Sequence, residues 1–207
     1  MITGILLAAG KSERMGEPKI LLKIKGKTII ELLLGEYLKS NLDEVVLVLG
    51  KDADFIQDFV ERLFDSLKLK IAINENYELG MFSSIQKGIA LAKGENILLG
   101  LGDNVLITSD IINTLIAQYR APEILVPTAS GRKGHPVVFS GVVADQIIKA
   151  DPTNTTLKNV FEQHQKEIRL FPIEREEILI DMDTKSDYKT ALSLFEKFRK
   201  AQRDEKN

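Results

Sequence analysis

The chain has 207 residues, the length of one large domain on the usual ~150-residue scale, and a compact chain of this size buries roughly 70% of its unfolded surface. Hydrophobic residues make up 44% and charged residues 28%, which places it away from disordered, collagen-like and membrane-spanning compositions. Lys plus Arg number 28 and Asp plus Glu 30, a formal charge of −2, so no basic field recruits nucleic acid or an anionic membrane.

The absence of Cys excludes disulfides, thiolate zinc sites, iron–sulfur clusters and cysteine nucleophiles, and 2 His are too few for a His-rich metal site. No run approaches the ~18 to 20 apolar residues that span a bilayer. Residues 5–9 also lack the basic flank and length of a signal peptide, so a cytoplasmic location is expected.

Residues 4–8 (GILLA) are apolar at consecutive positions, as in a strand covered on both faces. Helical spacing follows at 28–40, a buried strand at 44–49 (EVVLVL), a helix with an acidic first turn at 52–67 and a short strand at 70–73. Residues 83–92 predict a serine-capped helix, 96–101 (NILLGL) a strand and 109–119 another helix.

This βα rhythm predicts an α/β fold of three layers, a mostly parallel sheet with helices on both faces. Past residue 120, strands at 123–126 and 136–139 flank the turn-rich segment 128–134, read as a hairpin or lid. Helices at 142–150 and 155–164 precede short strands near 167–171 and 178–180. His164 is expected at the surface. A last helix begins near Thr184, and the charged tail 197–207 is expected to fray. With no repeat or long linker, residues 1–207 read as a single domain.

Ligands of a parallel sheet bind beyond the carboxyl ends of its strands. The first such loop, 7–19 (LAAGKSERMGEPK), begins with the small residues Ala8, Ala9 and Gly10, which let backbone N–H groups approach phosphate, and interleaves them with Lys11, Ser12, Arg14 and Lys19. A Walker A assignment fails because Ile5 stands where its first glycine belongs, and a Rossmann fingerprint at Gly100 and Gly102 fails at Val105.

Four further segments carry candidate chemistry. Residues 80–84 (GMFSS) place Gly80, Met81, Ser83 and Ser84 at a helix start, either a serine cap or a hold for an anion or base edge. Asp103 ends an apolar strand and faces the same crevice as the first loop, although a single Asp there also reads as a turn residue. Residues 181–187 (DMDTKSD) gather acids at a helix start, where Asp183 or Thr184 could equally be a cap. His135 in GHPVVF (134–139) follows Arg132 and Lys133, cations suited to an anionic acceptor.

Residues 7–19 match without a gap the signature LAAGxSxRMGxxK, and the chain resembles the molybdenum cofactor nucleotidyltransferases, the cytidylyltransferase and guanylyltransferase group. The resemblance runs through nearly the whole chain in motif order and is strongest in the nucleotide half. It implies a Rossmann-like fold of the nucleotide-diphospho-sugar transferase type and Mg²⁺-dependent transfer of a nucleoside monophosphate from a nucleoside triphosphate to a phosphorylated small molecule. Pyrophosphate is the other product.

The resemblance implies nucleotide contacts from Leu7, Ala8, Ala9, Gly10, Lys11, Ser12, Arg14, Lys19, Gly80, Met81, Ser83 and Ser84. Lys19, Arg14 and Asp103 are then catalytic, Asp103 and Asp183 hold Mg²⁺ with Asp181 a weaker candidate, and His135, Arg132 and Lys133 meet the acceptor. Ala9, where the guanylyltransferases carry glycine, favours CTP. Phe82 replaces a small residue, Asn104-Val105 replace a Gln-Pro or Met-Pro pair, and residues 150–156 (ADPTNTT) replace a GDxGAR segment. Two alternatives stay open: the same transfer to a sugar or alditol phosphate, and a non-catalytic nucleotide-binding module. A monomer or small homo-oligomer is expected.

Overall fold

In the computed structural model, which describes residues 1–10 and 18–204, β1 (Ile2–Ala8) is buried from Thr3 onward. Its partners β4 (Glu44–Leu49) and β6 (Asn96–Leu101) are also apolar nearly throughout, because a central parallel strand has no solvent side toward which to alternate. Side chains still alternate between faces. Leu6, Leu47, Leu98 and Val138 enter one core, and Ile5, Leu7, Val48, Leu99 and Phe139 enter the other.

After β1, a 3-10 turn at Lys19–Leu21 and the antiparallel pair β2 (Lys23–Ile24) and β3 (Lys27–Thr28) lead into α1 (Ile29–Lys39). Thr28 and Glu31 form a capping box: Glu31 N donates to Thr28 Oγ1 at 3.3 Å and Thr28 N to Glu31 Oε2 at 2.7 Å. The chain continues through β4, α2 (Ala53–Leu63), β5 (Leu69–Ile73), α3 (Met81–Leu91), β6 and α4 (Ser109–Gln118). It then forms β7 (Ile124–Ala129), β8 (Arg132–Lys133), β9 (Val137–Ser140), α5 (Gly141–Lys149), α6 (Leu157–Gln163), β10 (Ile168–Pro172) and α7 (Lys185–Asp204).

The strands form an 8-stranded sheet in the order β10-β7-β9-β6-β1-β4-β5, with β8 hairpinned onto β7. All neighbours along this path are parallel except β9, which runs against both β6 and β7. Helices α1, α2 and α4 cover one face and α3, α5 and α6 the other, giving the expected three layers. A smaller cluster joins Ile24, Ile29, Val105 and Leu106 to Met182, Ala191 and Phe195, seating α7 beside the end of β6.

Several local expectations change. Residues 176–179 form a 3-10 turn in place of a strand at 178–180: Ile178 N bonds Arg175 O and Ile180 N bonds Glu177 O, so local turns satisfy this backbone and the sheet does not. Helix α3 begins at Met81 with Gly80 as its cap, so the serines lie inside its first turn. His164 is half-buried against α5, where Nε2 pairs with Gln146 Oε1. Helix α7 spans Lys185–Asp204 and so includes the first part of the charged tail. Among the described residues no helix is long and apolar enough to cross a membrane.

Candidate active site

The carboxyl ends of β1, β4, β5 and β6 open onto a cleft of about 720 Å³. From the first loop it is lined by Leu7, Ala8, Ala9 and Gly10, and from the following turn by Pro18, Lys19 and Ile20. Lys51 and Asp52 after β4, Tyr77 and Glu78 after β5, and Gly80, Met81 and Ser84 at α3 continue it. Ile56 of α2, with Leu101, Gly102, Asp103, Asp181 and Asp183, completes the lining.

Glycine is needed at two of these places. Gly102 N donates to Leu7 O at 2.8 Å, and a Cβ on Gly102 would sit 2.8 Å from that oxygen, so only glycine lets the end of β6 lie this close to β1. Gly80 has φ +96°, a conformation L side chains rarely adopt. As the cap of α3 it supplies no side-chain hydrogen bond, which leaves the positive end of the helix facing the cleft.

The serines of that helix divide. Ser84 lines the cleft and accepts a 2.9 Å bond from Asn74 Nδ2. Ser83 does not line it. Its buried Oγ accepts from Asn74 Nδ2 at 2.9 Å and lies 2.8 Å from Gly80 O and 3.0 Å from Asn76 O, so Ser83 fastens the 74–80 loop where nucleotide contact is predicted.

Lys19 projects from the 3-10 turn between two carboxylates. Its Nζ lies 2.8 Å from Asp183 Oδ1 and 3.4 Å from Asp103 Oδ2. Burial holds the Asp103 carboxyl above its ordinary range; Lys19 opposes that shift, and the nearby charges of Asp181 and Asp183 reinforce it. The first turn of α7 is capped by Thr184 and Asp187, with Asp187 Oδ2 accepting from Thr184 N at 2.8 Å and from Asp183 N at 3.2 Å. Capping therefore falls to those residues, and the Asp183 carboxylate turns to Lys19.

Among the described residues, the buried side-chain polar atoms without a partner are Asp103 Oδ1, Asn104 Oδ1, His135 Nδ1 and Ser140 Oγ. All but Ser140 sit at the carboxyl end of β6, since β9 runs antiparallel and His135 just precedes it. Native interiors leave few such groups, and three of these four lie at this end of the sheet. The donor set fits a hard divalent cation: Asp103 has an orphaned carboxylate oxygen, and Asp181 and Asp183 line the same cleft. No group of three or more acidic, His or Cys side chains among the described residues could hold a metal alone, so phosphate oxygens and water would have to supply most ligands.

Compared with known proteins, the sequence matches the family model described as MobA-like NTP transferase domain over residues 4–168. The chain belongs to this family. The MobA-like domain contains Lys19 and Asp103 within its matched span and carries Asp181 and Asp183 beyond it. It is 28% identical over 188 residues to the molybdenum cofactor cytidylyltransferase of Escherichia coli (strain K12), covering 90% of this chain and 93% of that one. The nicotine blue oxidoreductase of Paenarthrobacter nicotinovorans is 34% identical over 147 residues, 67% of this chain and 70% of that one. A solved homologue, from Mycobacterium sp. strain JC1, of the Mycobacterium tuberculosis protein Rv0371c superposes with a TM-score of 0.80 at 27% identity, covering 95% of this chain and 98% of that one.

This MobA-like chain is a nucleotidyltransferase-type domain whose cleft gathers the ends of β1 and β6, the start of α3 and the approach to α7. The predicted acceptor residues are less closely gathered. His135 does not line the cleft, although the charges of Asp181 and Asp103 act on it. Burial pushes its imidazole below the ordinary range against those charges, which favours the neutral ring. Arg132 and Lys133 are exposed on β8 and are not among the cleft-lining residues, because the hairpin to β7 fixes them outside it. Lys11, Ser12 and Arg14 lie outside the described residues. Lys51, Asp52, Tyr77 and Glu78 are cleft residues that motif matching passes over; the rule that ligands sit beyond strand ends would have found them.

Proposed function

We propose that this protein transfers CMP from CTP to the phosphate of a small acceptor, the molybdenum cofactor, and releases pyrophosphate. The observation that carries this reading is the Lys19 ammonium set between Asp103 and Asp183 in the cleft below Ala8 to Gly10. Carboxylates repel a bare triphosphate, so the pairing of acids with a cation beside a small-residue loop suits a metal-bound one.

The small residues of the first loop and the start of α3 take the phosphates and base through backbone groups, with Arg14, Lys11 and Ser12 assigned to the phosphates by motif. Asp103 and Asp183, with Asp181 beside them, would hold Mg²⁺, which when bound neutralises the triphosphate and orients its oxygens. An acceptor phosphate oxygen forms the new bond to the α-phosphorus, the bond from that phosphorus to the bridging oxygen breaks, and pyrophosphate leaves with the electron pair. An acceptor phosphate is already ionised near neutral pH, so no general base is required, consistent with a half-buried His135 whose desolvation favours the neutral ring. Lys19 then exchanges a carboxylate partner for the α-phosphate and steadies its charge through the displacement.

Ala9 and the extended similarity to a molybdenum cofactor cytidylyltransferase support CTP and this acceptor. The oxidoreductase among the relatives indicates that family membership alone does not choose the substrate. A sugar or alditol phosphate is the second reading, favoured by Asn104-Val105 and the changed segment 150–156 at the acceptor end. A purely binding module is disfavoured because binding alone does not need a half-buried Asp103 across Lys19 from a second acid.

Thermal shifts with CTP, GTP, ATP and UTP, each with and without Mg²⁺, test the reading before any acceptor is in hand. A ligand at ~100 times its Kd adds about 2.7 kcal/mol. The largest shift is expected with CTP plus Mg²⁺. A larger shift with another nucleotide would reassign the base, and no shift with any would contradict a preformed triphosphate site.

A further inference from the structure

The acids of the cleft come from two distant parts of the chain, so something must bring residues 180–183 to the end of β6. One tether is backbone: His135 N donates to Ile178 O at 3.1 Å, with Gly134 packed so closely that a Cβ there would lie 2.5 Å from the same oxygen. The other is a side chain. Asn104 is 1% exposed, and its Nδ2 donates to Asp181 Oδ1 at 2.5 Å and to Ile180 O at 3.3 Å. Both partners are acceptors, so the amide must present its nitrogen to them, which fixes its orientation.

We propose that Asn104 is a positioning residue that holds the Asp181 carboxylate at the end of β6 that carries Asp103, where its negative charge adds to the attraction for a divalent cation without completing a three-acid cage. The proposal rests on the nucleotide-transfer reading above. Asp181 is otherwise an exposed residue between the 3-10 turn and α7, and an exposed Asp samples several rotamers. A hydrogen bond from a buried, immobile amide selects one of them. The turn carrying Asn104 is itself closed by Asn104 N to Leu101 O at 3.2 Å and Ile107 N to Asn104 O at 3.1 Å, so the donor cannot drift. Asp181 acts electrostatically on Asp103 and His135, which places its charge at the same end of the sheet as their orphaned atoms. A leucine at 104 is close to asparagine in size and supplies no donor.

Mn²⁺ binding with CTP present, read from the electron paramagnetic resonance signal of free Mn²⁺, tests this in wild type, N104L, D181A and the double variant. Melting temperatures without metal or nucleotide report folding separately, and N104A is read in the same way if N104L does not fold. Each single substitution is expected to weaken Mn²⁺ binding about tenfold, and the double variant to bind no more weakly than D181A, because residues acting through one contact are not additive. Unchanged binding in N104L, or an equal loss from N104L with and without Asp181, would overturn the role of Asn104. Absence of Mn²⁺ binding by the wild type would overturn the metal-site reading and this proposal together.

Discussion

At the scale of single residues, the proposed mechanism gives Lys19 two duties that separate in experiment. In the free protein its ammonium lies between Asp103 and Asp183, where it offsets their repulsion as a bound cation would. On the proposed mechanism the same group is needed at the phosphate during transfer. Lys19→Met is therefore expected to lower turnover by about a hundredfold or more, the usual loss for one preorganised charge donor. Without nucleotide, the same variant is expected to bind Mn²⁺ more tightly than wild type, because no ammonium competes for the carboxylates. Calorimetric titration would show this, and weaker binding in Lys19→Met would mean that Lys19 supports the metal. Asp103, Asp183 and Lys19, singled out from motif order, all line one cleft. Ser83, Arg132 and Lys133 are not among the cleft-lining residues, because a linear motif does not say which way a side chain turns: Ser83 turns to Asn74, and the two cations lie on the β7–β8 hairpin.

Elements hold the cleft from below as well as above. At the amino ends of the strands, buried Glu44 gathers Thr3 of β1, Lys70 of β5 and Lys93 N before β6, the last at 2.9 Å. Burial alone would raise the Glu44 carboxyl, but its bonds to Lys70, Lys93 N and Thr3 outweigh that and hold it below the ordinary glutamate range. A depressed folded pKa contributes stability that is present above the unfolded value and is lost as pH falls through the folded one. Glu44→Gln is thus expected to cost about 1 to 2 kcal/mol at neutral pH. The cost should disappear in acid, below the ordinary glutamate range, and urea unfolding across pH checks it; a pH-independent cost would mean that charge is not what matters.

The central strands were legible in sequence because β1, β4 and β6 are apolar without alternation, a pattern that only two-sided cover explains. Residues 178–180 were not, since a run so short is compatible with strand or turn until its backbone partners are known. The bond from Asn104 to Asp181 crosses 77 residues of sequence and has no local signature.

For the whole molecule, the cleft is a product of topology. Its lining is drawn from residues as far apart as Leu7 and Asp183, brought together because parallel strands end on one side of the sheet and α7 packs back against the end of β6. The similarity to a solved homologue over 95% of the chain fits a fold in which each of these parts is needed. What separates an enzyme from a binding module of the same shape is product release. The most direct measurement is pyrophosphate formed from CTP and Mg²⁺ with the molybdenum cofactor as acceptor, for wild type and Lys19→Met. The expected result is one pyrophosphate per acceptor consumed by the wild type and almost none from the variant. CTP binding with no pyrophosphate from any phosphorylated acceptor, or equal release by the variant, would contradict nucleotide transfer at this cleft.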